Sequence, residues 1–258
     1  MEQGLITVIQ PILKAAGAEI LKIYNSDQAN VVDHKADDSP LTLADVAANE
    51  VIISGLELAF DIPIISEENE SIPYSERKNF SKFWCVDPLD GTKEFINRNG
   101  EFTVNIALIE NGIPVFGGIY VPVIDVYYFG IKGKGAFKQV GSGDLEILKV
   151  NTNSSDWIAV GSKSHAKPEE KEFYQEIGVK ESFSVGSSLK FCMVAEGSAD
   201  LYFRSGPTME WDIAAGHAIV TGAGGEVYKD LECKEVFTYN KENLLNGSFL
   251  ATSTKKLK

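Results

Sequence analysis

The chain has 258 residues, of which 44% are hydrophobic and 10% aromatic, enough to bury the core of one large domain or two moderate ones. This composition excludes disorder and a fibrous architecture. Its 24 Lys and Arg residues against 37 Asp and Glu give a formal net charge of −13, which disfavours binding along a nucleic-acid backbone because that requires basic surface.

The acidic excess is uneven along the chain. Residues 1–150 carry 12 basic and 22 acidic side chains, whereas residues 151–258 carry 12 and 15. Two interpretations stay open. The chain is simply an acidic soluble protein, or its first part holds a carboxylate cluster that needs cations.

Cysteine use and hydropathy indicate the compartment. Cys85, Cys192 and Cys233 lie far apart and form no CxxC pair, which is typical of a reducing cytoplasm. The N-terminus shows no basic stretch followed by an apolar run, and no segment approaches the roughly 20 apolar residues of a membrane span. We therefore expect a soluble, cytoplasmic protein without a transmembrane segment.

The first half of the chain predicts helices followed by a β-meander. Apolar residues recur at helical spacing from Leu5 to Tyr24, which indicates one amphipathic helix. After a loop at 33–40, a second helix is expected from Thr42, with Val46, Ile53 and Leu56 facing inward. Strands are expected at 62–65, 83–86, 103–109, 115–121 and 126–129, with glycine turns at 133–135 and 141–143.

From about residue 151 the pattern changes to strands alternating with helices. Strands are expected at 157–160, 199–203 and 249–252, and helices at 189–196 and 211–221. We therefore predict an N-terminal α+β domain over 1–150 and a C-terminal α/β domain over 151–258.

Acidic residues stand beside predicted elements at three places. Glu67-Glu68 follows one β-run, Asp87-Pro88-Leu89-Asp90-Gly91-Thr92 follows the next, and Asp212 opens a helix. Folds of the α/β type place ligand sites where strands end. These acids are therefore candidates for one shared site.

The run from Asp87 to Thr92 has the chemistry of a cation and phosphate site. Asp87 and Asp90 are three residues apart across a turn, so both carboxylates can point to one side and repel each other unless a cation lies between them. Ligands that are all oxygen suit Mg²⁺ or Mn²⁺ rather than zinc. Gly91 allows close backbone approach, and the N–H groups after it can bind a phosphate.

Each of these features also has an ordinary explanation. Asp-Pro-x-Asp-Gly is common turn chemistry, and Glu67-Glu68 alone is typical of a solvated loop. Asp212 could be an acid that favours a helix N-terminus, and Asp45 the acid of a capping box with Thr42. The four features together, in this order, favour the site.

The order of these motifs resembles the inositol monophosphatase superfamily. That superfamily carries Glu-Glu, then Asp-Pro-(Ile/Leu)-Asp-Gly/Ser-Thr, then Trp-Asp-x-x-Ala-Gly, and this chain has Glu67-Glu68, Asp87–Thr92 and Trp211–Gly216, with Asp45 upstream. The segments Lys35–Pro40, Asp87–Ile109, Gly186–Cys192 and Val194–Gly197 are similar to the bacterial 3′(2′),5′-bisphosphate nucleotidase subfamily. The similarity covers nearly the whole chain and is weakest at 68–82 and 222–246.

The resemblance implies a layered αβαβα sugar-phosphatase fold and a Mg²⁺ cofactor of two or three ions. Glu67, Asp87 and the carbonyl of Leu89 resemble the ligands of a first ion. Asp87 as a bridge, Asp90 and Asp212 resemble those of a second, and Glu67 would hold a third through water. The resemblance also implies sensitivity to Li⁺.

Catalytic and substrate-binding roles are implied in the same way. Glu67 and the pair Asp45–Thr92 would orient or deprotonate the attacking water. Gly91, Thr92 and Lys93 would donate to the departing phosphate, which the ion-binding residues Glu67, Leu89, Asp90 and Asp212 also surround. Ser164 and His165 resemble nucleotide contacts, and Ser187, Lys190 and Arg204 resemble the group that holds a 5′-phosphate. The ordinary alternatives are a surface-loop histidine for His165 and solvated charges for Lys190 and Arg204.

The resemblance implies Mg²⁺-dependent hydrolysis of the 3′-phosphate of adenosine 3′,5′-bisphosphate, and also of 3′-phosphoadenylyl sulfate, in sulfur assimilation and nucleotide recycling. Two alternatives stay open: an inositol monophosphatase, which would share every metal ligand, and a non-catalytic metal- or nucleotide-binding protein. The expected partner is a small nucleotide and no nucleic-acid polymer. Peripheral association with the cytoplasmic face of the inner membrane and the oligomeric state stay open.

Overall fold

The structure is a computed structural model that describes residues 3–30, 32–34, 40–69, 71–152 and 156–253. Most of the predicted loop at 33–40 lies outside the described residues. The same holds for residues 35–39 of the Lys35–Pro40 segment that contributes to the family resemblance.

Helices and strands alternate along the described ranges. The helices are α1 (Gln3–Tyr24), α2 (Leu43–Ala59), α3 (Tyr74–Arg77), α4 (Thr92–Ile96), α5 (Pro168–Glu176), α6 (Leu189–Ala195) and α7 (Glu210–Gly222), with 3₁₀ turns at Asp27–Asn30 and Pro122–Ile124. The strands are β1 (Val32–His34), β2 (Pro40–Thr42), β3 (Ile64–Ser66), β4 (Lys82–Asp90), β5 (Thr103–Glu110), β6 (Ile113–Val121), β7 (Val126–Ile131), β8 (Gly135–Val140), β9 (Glu146–Leu148), β10 (Ile158–Ser162), β11 (Glu181–Val185), β12 (Leu201–Arg204), β13 (Thr208–Met209), β14 (Glu226–Tyr228), β15 (Leu245–Asn246) and β16 (Phe249–Thr252).

A seven-stranded sheet forms the centre of the first half. Its order is β3-β4-β5-β6-β7-β8-β9, with β3 parallel to β4 and the remaining pairs antiparallel. Helices α1 and α2 cover one face, where Ile9, Leu13 and Ile52 are fully buried in a core cluster with Trp84 and Phe116. The predicted amphipathic helix and meander are confirmed in kind, with strands that run longer than predicted.

A second, mixed sheet has the order β11-β10-β12-β16-β14, in which β10 is parallel to β11 and β12. Helices α6 and α7 lie between the two sheets, and a core cluster that includes Cys85, Phe191 and Ile219 joins all three layers. Helix α5 covers the outer face of the second sheet through Phe173 and Tyr174. The layers therefore run α, β, α, β, α, which confirms the predicted fold class.

The buried face of α2 differs from the prediction. Val46 is 42% exposed and Ile53 only partly buried, whereas Ala44, Ala48 and Ile52 are fully buried. Ile52, Ala48 and Ala44 precede Leu56 at intervals of four residues and therefore share its face of the helix. The two small alanines let α2 pack closely on its neighbours. The prediction of Val46 as an inward residue was wrong, because it gave weight to side-chain size over helical phase.

Helix α1 also corrects an expectation. By length and composition alone, the segment Gly4–Tyr24 could cross a membrane. This differs from the expectation that no segment approaches the length of a membrane span. In the fold, its apolar stripe packs against α2 and the first sheet.

The division at residue 150 stays a prediction. The first sheet ends at Leu148 and the second begins at Ile158, which matches the change in sequence pattern. Helix α7 belongs to the later half of the chain yet packs against β4 to β8 of the first sheet. The two parts therefore share the layer that lies between them.

A buried ion pair fixes the start of α7. The carboxylate of Glu210 is fully buried and accepts from the ammonium of Lys241 at 2.6 Å and from the backbone N–H groups of Asn240 and Lys241 at 2.7 and 3.0 Å. The guanidinium of Arg77 donates to the carbonyl of Lys241 at 2.6 Å, and the Lys241 ammonium also reaches Asn246 at 2.8 Å. These contacts attach the loop before β15 to α7.

We expect Lys241→Met to lower the free energy of unfolding by about 1–3 kcal/mol, because it leaves a buried carboxylate short of a charged donor. Lys234→Met is the matched control, since the Lys234–Glu232 pair at 2.9 Å is exposed on both sides. Urea titration followed by tryptophan fluorescence measures both. Equal losses for the two variants would contradict the role given to the buried pair.

Candidate active site

A cavity of about 550 Å³ opens where β4 ends, between the first sheet and the elements β10, α6, β12 and α7. Most predicted site residues line it: Glu67, Asp87, Leu89, Asp90, Gly91, Thr92, Lys93, His165, Ser187, Lys190, Arg204 and Asp212. Asp45 and Ser164 do not. Asp45 contacts Thr92, and the Ser164 hydroxyl donates to Glu94, which itself lines the cavity.

An irregular strand end places the two acids of the Asp-Pro-Leu-Asp run. Strand β4 continues through the run, and its pairing with β5 shifts register between Asp87 and Asp90. The amide N–H of Leu89 donates to Oδ1 of Asp87 at 3.1 Å, and the Leu89 side chain is buried. The predicted strand end at Val86 was therefore too early, because a bulge keeps the chain in the sheet.

Neighbouring elements bring two further acids to the same wall. Glu67 follows β3, and its amide N–H donates to the carbonyl of Val86 at 3.2 Å, which sets it beside Asp87. Asp212 lies in the first turn of α7, where its Oδ2 accepts from the amide of Met209 at 2.8 Å. Residues that are far apart in sequence thus share one cavity.

Asp45 caps α2 and also contacts Thr92, which lines the cavity. Asp45 Oδ2 accepts from the amide and hydroxyl of Thr42 at 2.7 and 2.6 Å, which is the capping box considered above. Its Oδ1 accepts from the hydroxyl of Thr92 at 3.4 Å. The ordinary explanation is therefore confirmed for Asp45, and the same residue still contacts Thr92 at the cavity.

Crowding and burial disfavour the ionised acids. Burial raises the pKa of Asp90, although the Lys190 charge and hydrogen bonds from Ser188 and Asn105 oppose the rise. Burial raises the pKa of Asp212 well above its usual value, and the negative charges of Asp90 and Glu67 add to the rise. A cation among these groups would relieve both effects.

The donor set fits a hard divalent cation. The carboxylates of Glu67, Asp87, Asp90 and Asp212 line one cavity together with Glu94 and Leu89, and all of them offer oxygen donors. Within the described ranges, no three His, Cys, Asp or Glu side chains already form a group that could hold an ion. Asp90 and Asp212 are instead oriented by hydrogen bonds from the protein.

Two buried cations, Lys190 and Arg204, line the same cavity. Lys190 is 4% exposed, donates to the carbonyls of Ser187 and Val185 at 2.5 and 3.2 Å, and lies over the Tyr202 ring. Its burial lowers its pKa to about 8. Arg204 is 7% exposed and contacts Glu170 at 3.5 Å. The alternative of solvated surface charges is therefore wrong for both.

His165 lies in an exposed loop that also borders the cavity. Its Nε2 is 2.8 Å from the ammonium of Lys93, and the guanidinium of Arg204 donates to its backbone carbonyl. Partial burial lowers the pKa of His165, and the charges of Lys93 and Arg204 lower it further. A neutral ring whose Nε2 accepts from Lys93 is consistent with this environment.

Several cavity residues had no predicted role. Glu94, Ser188, Tyr202, Met209 and Leu245 also line the cavity. Glu94 and Ser188 fall inside the motif segments, so proximity to those motifs could have flagged them. Leu245 lies in the stretch of weakest resemblance and reaches the cavity through a two-residue pairing with Met209, which no sequence pattern shows.

A sequence profile described as the Inositol monophosphatase family matches residues 1–258. The chain belongs to the inositol monophosphatase family. Enzymes of this family depend on metal ions, in agreement with the carboxylate-lined cavity.

Relatives within the family are similar over nearly the full length. The 3′(2′),5′-bisphosphate nucleotidase CysQ of Shigella flexneri is 46% identical over 92% of this chain and 95% of its own. A crystal structure of CysQ from Bacteroides thetaiotaomicron is 42% identical, covers 98% of both chains and superposes with a TM-score of 0.85. An inositol monophosphatase from Anabaena has the same fold, at 24% identity over 98% of this chain and 92% of its own, with a TM-score of 0.77.

We expect Asp212→Asn to raise the thermal unfolding midpoint of the metal-free protein. It removes a charge that burial and the neighbouring acids disfavour, while the amide oxygen can still accept from Met209. Because the pKa of Asp212 is raised in the folded state, its ionisation costs stability as the pH rises above about 4, the unfolded pKa, towards the folded one. The gain should therefore be larger at pH 8 than at pH 5.

Differential scanning calorimetry at both pH values, after treatment with a chelator, tests this expectation. Asp61→Asn is the matched control, because Asp61 is exposed and lies outside the cavity. A lower midpoint for Asp212→Asn than for the parent protein at pH 8 would contradict the inference that burial and the neighbouring acids disfavour the charge of Asp212.

Proposed function

We propose that this chain is a Mg²⁺-dependent 3′(2′),5′-bisphosphate nucleotidase. It hydrolyses the 3′-phosphate of adenosine 3′,5′-bisphosphate to AMP and phosphate, and acts on 3′-phosphoadenylyl sulfate as a second substrate. One observation carries the proposal: a single cavity is lined both by a carboxylate cluster and by the buried cations Lys190 and Arg204.

The presence of both carboxylates and buried cations in one cavity matches a substrate with two phosphates. A protein of net charge −13 must concentrate positive charge locally to bind a polyanion. Ions held by the carboxylates would neutralise one phosphate, and Lys190 and Arg204 the other. An inositol monophosphate carries one phosphate and gives no reason to bury a second pair of cations. The names of the relatives at 45% and 46% identity agree with this assignment.

The family resemblance implies which residues would hold the ions, and all of these residues line the cavity. Glu67, Asp87 and the carbonyl of Leu89 would hold one Mg²⁺, and Asp87, Asp90 and Asp212 a second, with a third held more weakly near Glu67. When bound, Mg²⁺ neutralises the phosphate and lowers the pKa of a coordinated water.

The Asp45–Thr92 pair would orient the attacking water. The Thr92 hydroxyl has one proton and two nearby acceptors, Asp45 Oδ1 and the carbonyl of Leu89, each at 3.4 Å. While the Thr92 hydroxyl donates its hydrogen bond to one of them, its oxygen can accept a hydrogen bond from the water. This orients a lone pair of the water towards phosphorus. Glu67 would accept the proton that the water loses.

The start of α4 would bind the transferred phosphate. Gly91 precedes this helix with φ of 91°, a conformation that favours glycine, and lies against Ser187 across the cavity. The amide groups of Thr92 and Lys93 have no acceptor within the first helical turn, so they can donate to phosphate oxygens.

The cellular setting is part of the same proposal. The chain would act in the cytoplasm, in sulfur assimilation and nucleotide recycling. Cys85 and Cys192 are buried in the core, where burial raises their pKa well above the usual value and keeps them protonated.

Phosphate release at fixed Mg²⁺ tests the function. We expect turnover of adenosine 3′,5′-bisphosphate and 3′-phosphoadenylyl sulfate to exceed that of inositol 1-phosphate and fructose 1,6-bisphosphate, and Asp87→Asn to abolish it. Preference for inositol 1-phosphate would favour the first alternative. Mg²⁺ binding with no phosphate release from any substrate would favour a non-catalytic binding protein.

The Lys190→Ala variant tests whether Lys190 binds the 5′-phosphate. Loss of a charged partner of a desolvated phosphate typically costs about 2–5 kcal/mol, or roughly thirtyfold and more in kcat/KM. We expect that loss for adenosine 3′,5′-bisphosphate and a much smaller one for 3′-AMP, which lacks the 5′-phosphate. Lys171→Ala on the exposed face of α5 is the matched control. Equal losses for both substrates would contradict the role of Lys190.

A further inference from the structure

One turn of the second half of the chain contacts both a carboxylate and a cation of the cavity. Residues 186–190 lead from β11 into α6 and carry Ser187, Ser188 and Lys190, all of which line the cavity. Lys190 donates to the carbonyl of Ser187. Ser188 donates to the carboxylate of Asp90.

The hydroxyl of Ser188 is committed to Asp90. Ser188 is 1% exposed, and its Oγ lies 2.5 Å from Oδ2 of Asp90 and 3.2 Å from the carbonyl of Asp212. A hydroxyl has one proton, and the shorter contact to a charged acceptor is the stronger hydrogen bond. The proton therefore goes to Asp90.

A buried amide completes the arrangement from the first sheet. The Nδ2 group of Asn105 donates to Ser188 Oγ at 2.8 Å and lies 3.4 Å from Asp90 Oδ2. Its Oδ1 accepts from the hydroxyl of Thr103 at 3.0 Å, which fixes which side of the amide faces the carboxylate. Asn105 is itself 1% exposed, so little water competes for these bonds.

Both donors reach the same oxygen of Asp90. Within the described part of the chain, hydrogen bonds from side chains or backbone end on Oδ2 and none on Oδ1. The carboxylate is therefore held with one oxygen bound to protein and the other available at the cavity. Without Ser188 and Asn105, the side chain could rotate and the charge would lose the bonds that favour its ionised form.

We propose that Ser188 and Asn105 are positioning residues that orient Asp90 for cation binding, and that the 186–190 turn thereby links Asp90 to the segment that carries Lys190. The inference rests on the proposed function for the identity of the substrate. Its geometry depends only on the contacts of Asp90. Partners that orient a metal ligand typically contribute about 10–100-fold to metal affinity.

Isothermal titration calorimetry with Mg²⁺ on the substrate-free protein tests the positioning role. We expect Ser188→Ala to weaken Mg²⁺ binding by about tenfold or more. Ser198→Ala is the matched control, since Ser198 is exposed just past the other end of α6 and bonds to the carbonyl of Met193. It should leave Mg²⁺ affinity unchanged.

Steady-state kinetics separate this role from substrate contact. At subsaturating Mg²⁺, Ser188→Ala should lower kcat for adenosine 3′,5′-bisphosphate and for 3′-AMP by the same factor and leave KM nearly unchanged, and higher Mg²⁺ should restore part of the loss. Selective loss for the bisphosphate would instead place Ser188 among the 5′-phosphate contacts and overturn the inference.

Asn105→Ala repeats the test from the other side of the cavity, and it decides the matter if Ser188→Ala does not fold. Mg²⁺ affinities within about twofold of the parent for the folded variants would overturn the inference, as would a parent protein that binds no Mg²⁺. A parent that binds Mg²⁺ but does not cleave the bisphosphate would contradict the proposed function alone, because the calorimetric comparison uses no nucleotide.

Discussion

Burying several carboxylates side by side raises the free energy of the folded chain, because each ionised acid loses water and repels the others. Asp90 and Asp212 show this cost as raised pKa values. The protein limits this cost by donating hydrogen bonds to one oxygen of the carboxylate. In Asp45, Asp90 and Asp212, Oδ2 accepts hydrogen bonds from Thr42, Ser188 and Met209, respectively. Among the described residues, none donates a hydrogen bond to the other oxygen of Asp90 or Asp212, which leaves it facing a cation site whose ligands are already oriented.

This arrangement depends on how closely the middle helices approach the first sheet. A methyl group at Gly117 or Gly130 would collide with the carbonyls of Ala215 and Ala218 on α7, so these strand positions favour glycine. The close approach sets the first turn of α7, with Asp212, against the end of β4. The buried pair of Glu210 and Lys241 then holds the adjoining loop, whose Leu245 closes one side of the cavity. The geometry of the site therefore depends on the packing of the core.

Much of this follows from the sequence because the main motifs are local. The run from Asp87 to Thr92 carries its own turn chemistry, and the apolar period of α1 fixes its buried stripe. Contacts across layers are different. Ser188 and Asn105 are 83 positions apart and meet only because α6 lies over the first sheet. Their pairing, like the reach of Leu245, depends on the distance between layers, which no short pattern encodes. Val46 shows the related error for a helix, where size suggested burial and helical phase decided against it.

Diffraction from crystals grown with Mn²⁺ and a non-hydrolysable analogue of adenosine 3′,5′-bisphosphate would test the central claim most directly, because anomalous scattering locates the ions independently of activity. The account predicts anomalous peaks bounded by Glu67, Asp87, Asp90 and Asp212, with the 3′-phosphate beside them and the 5′-phosphate near Lys190 and Arg204. Ions bound away from these carboxylates, or a nucleotide bound with its 3′-phosphate against Lys190 and Arg204, would contradict it.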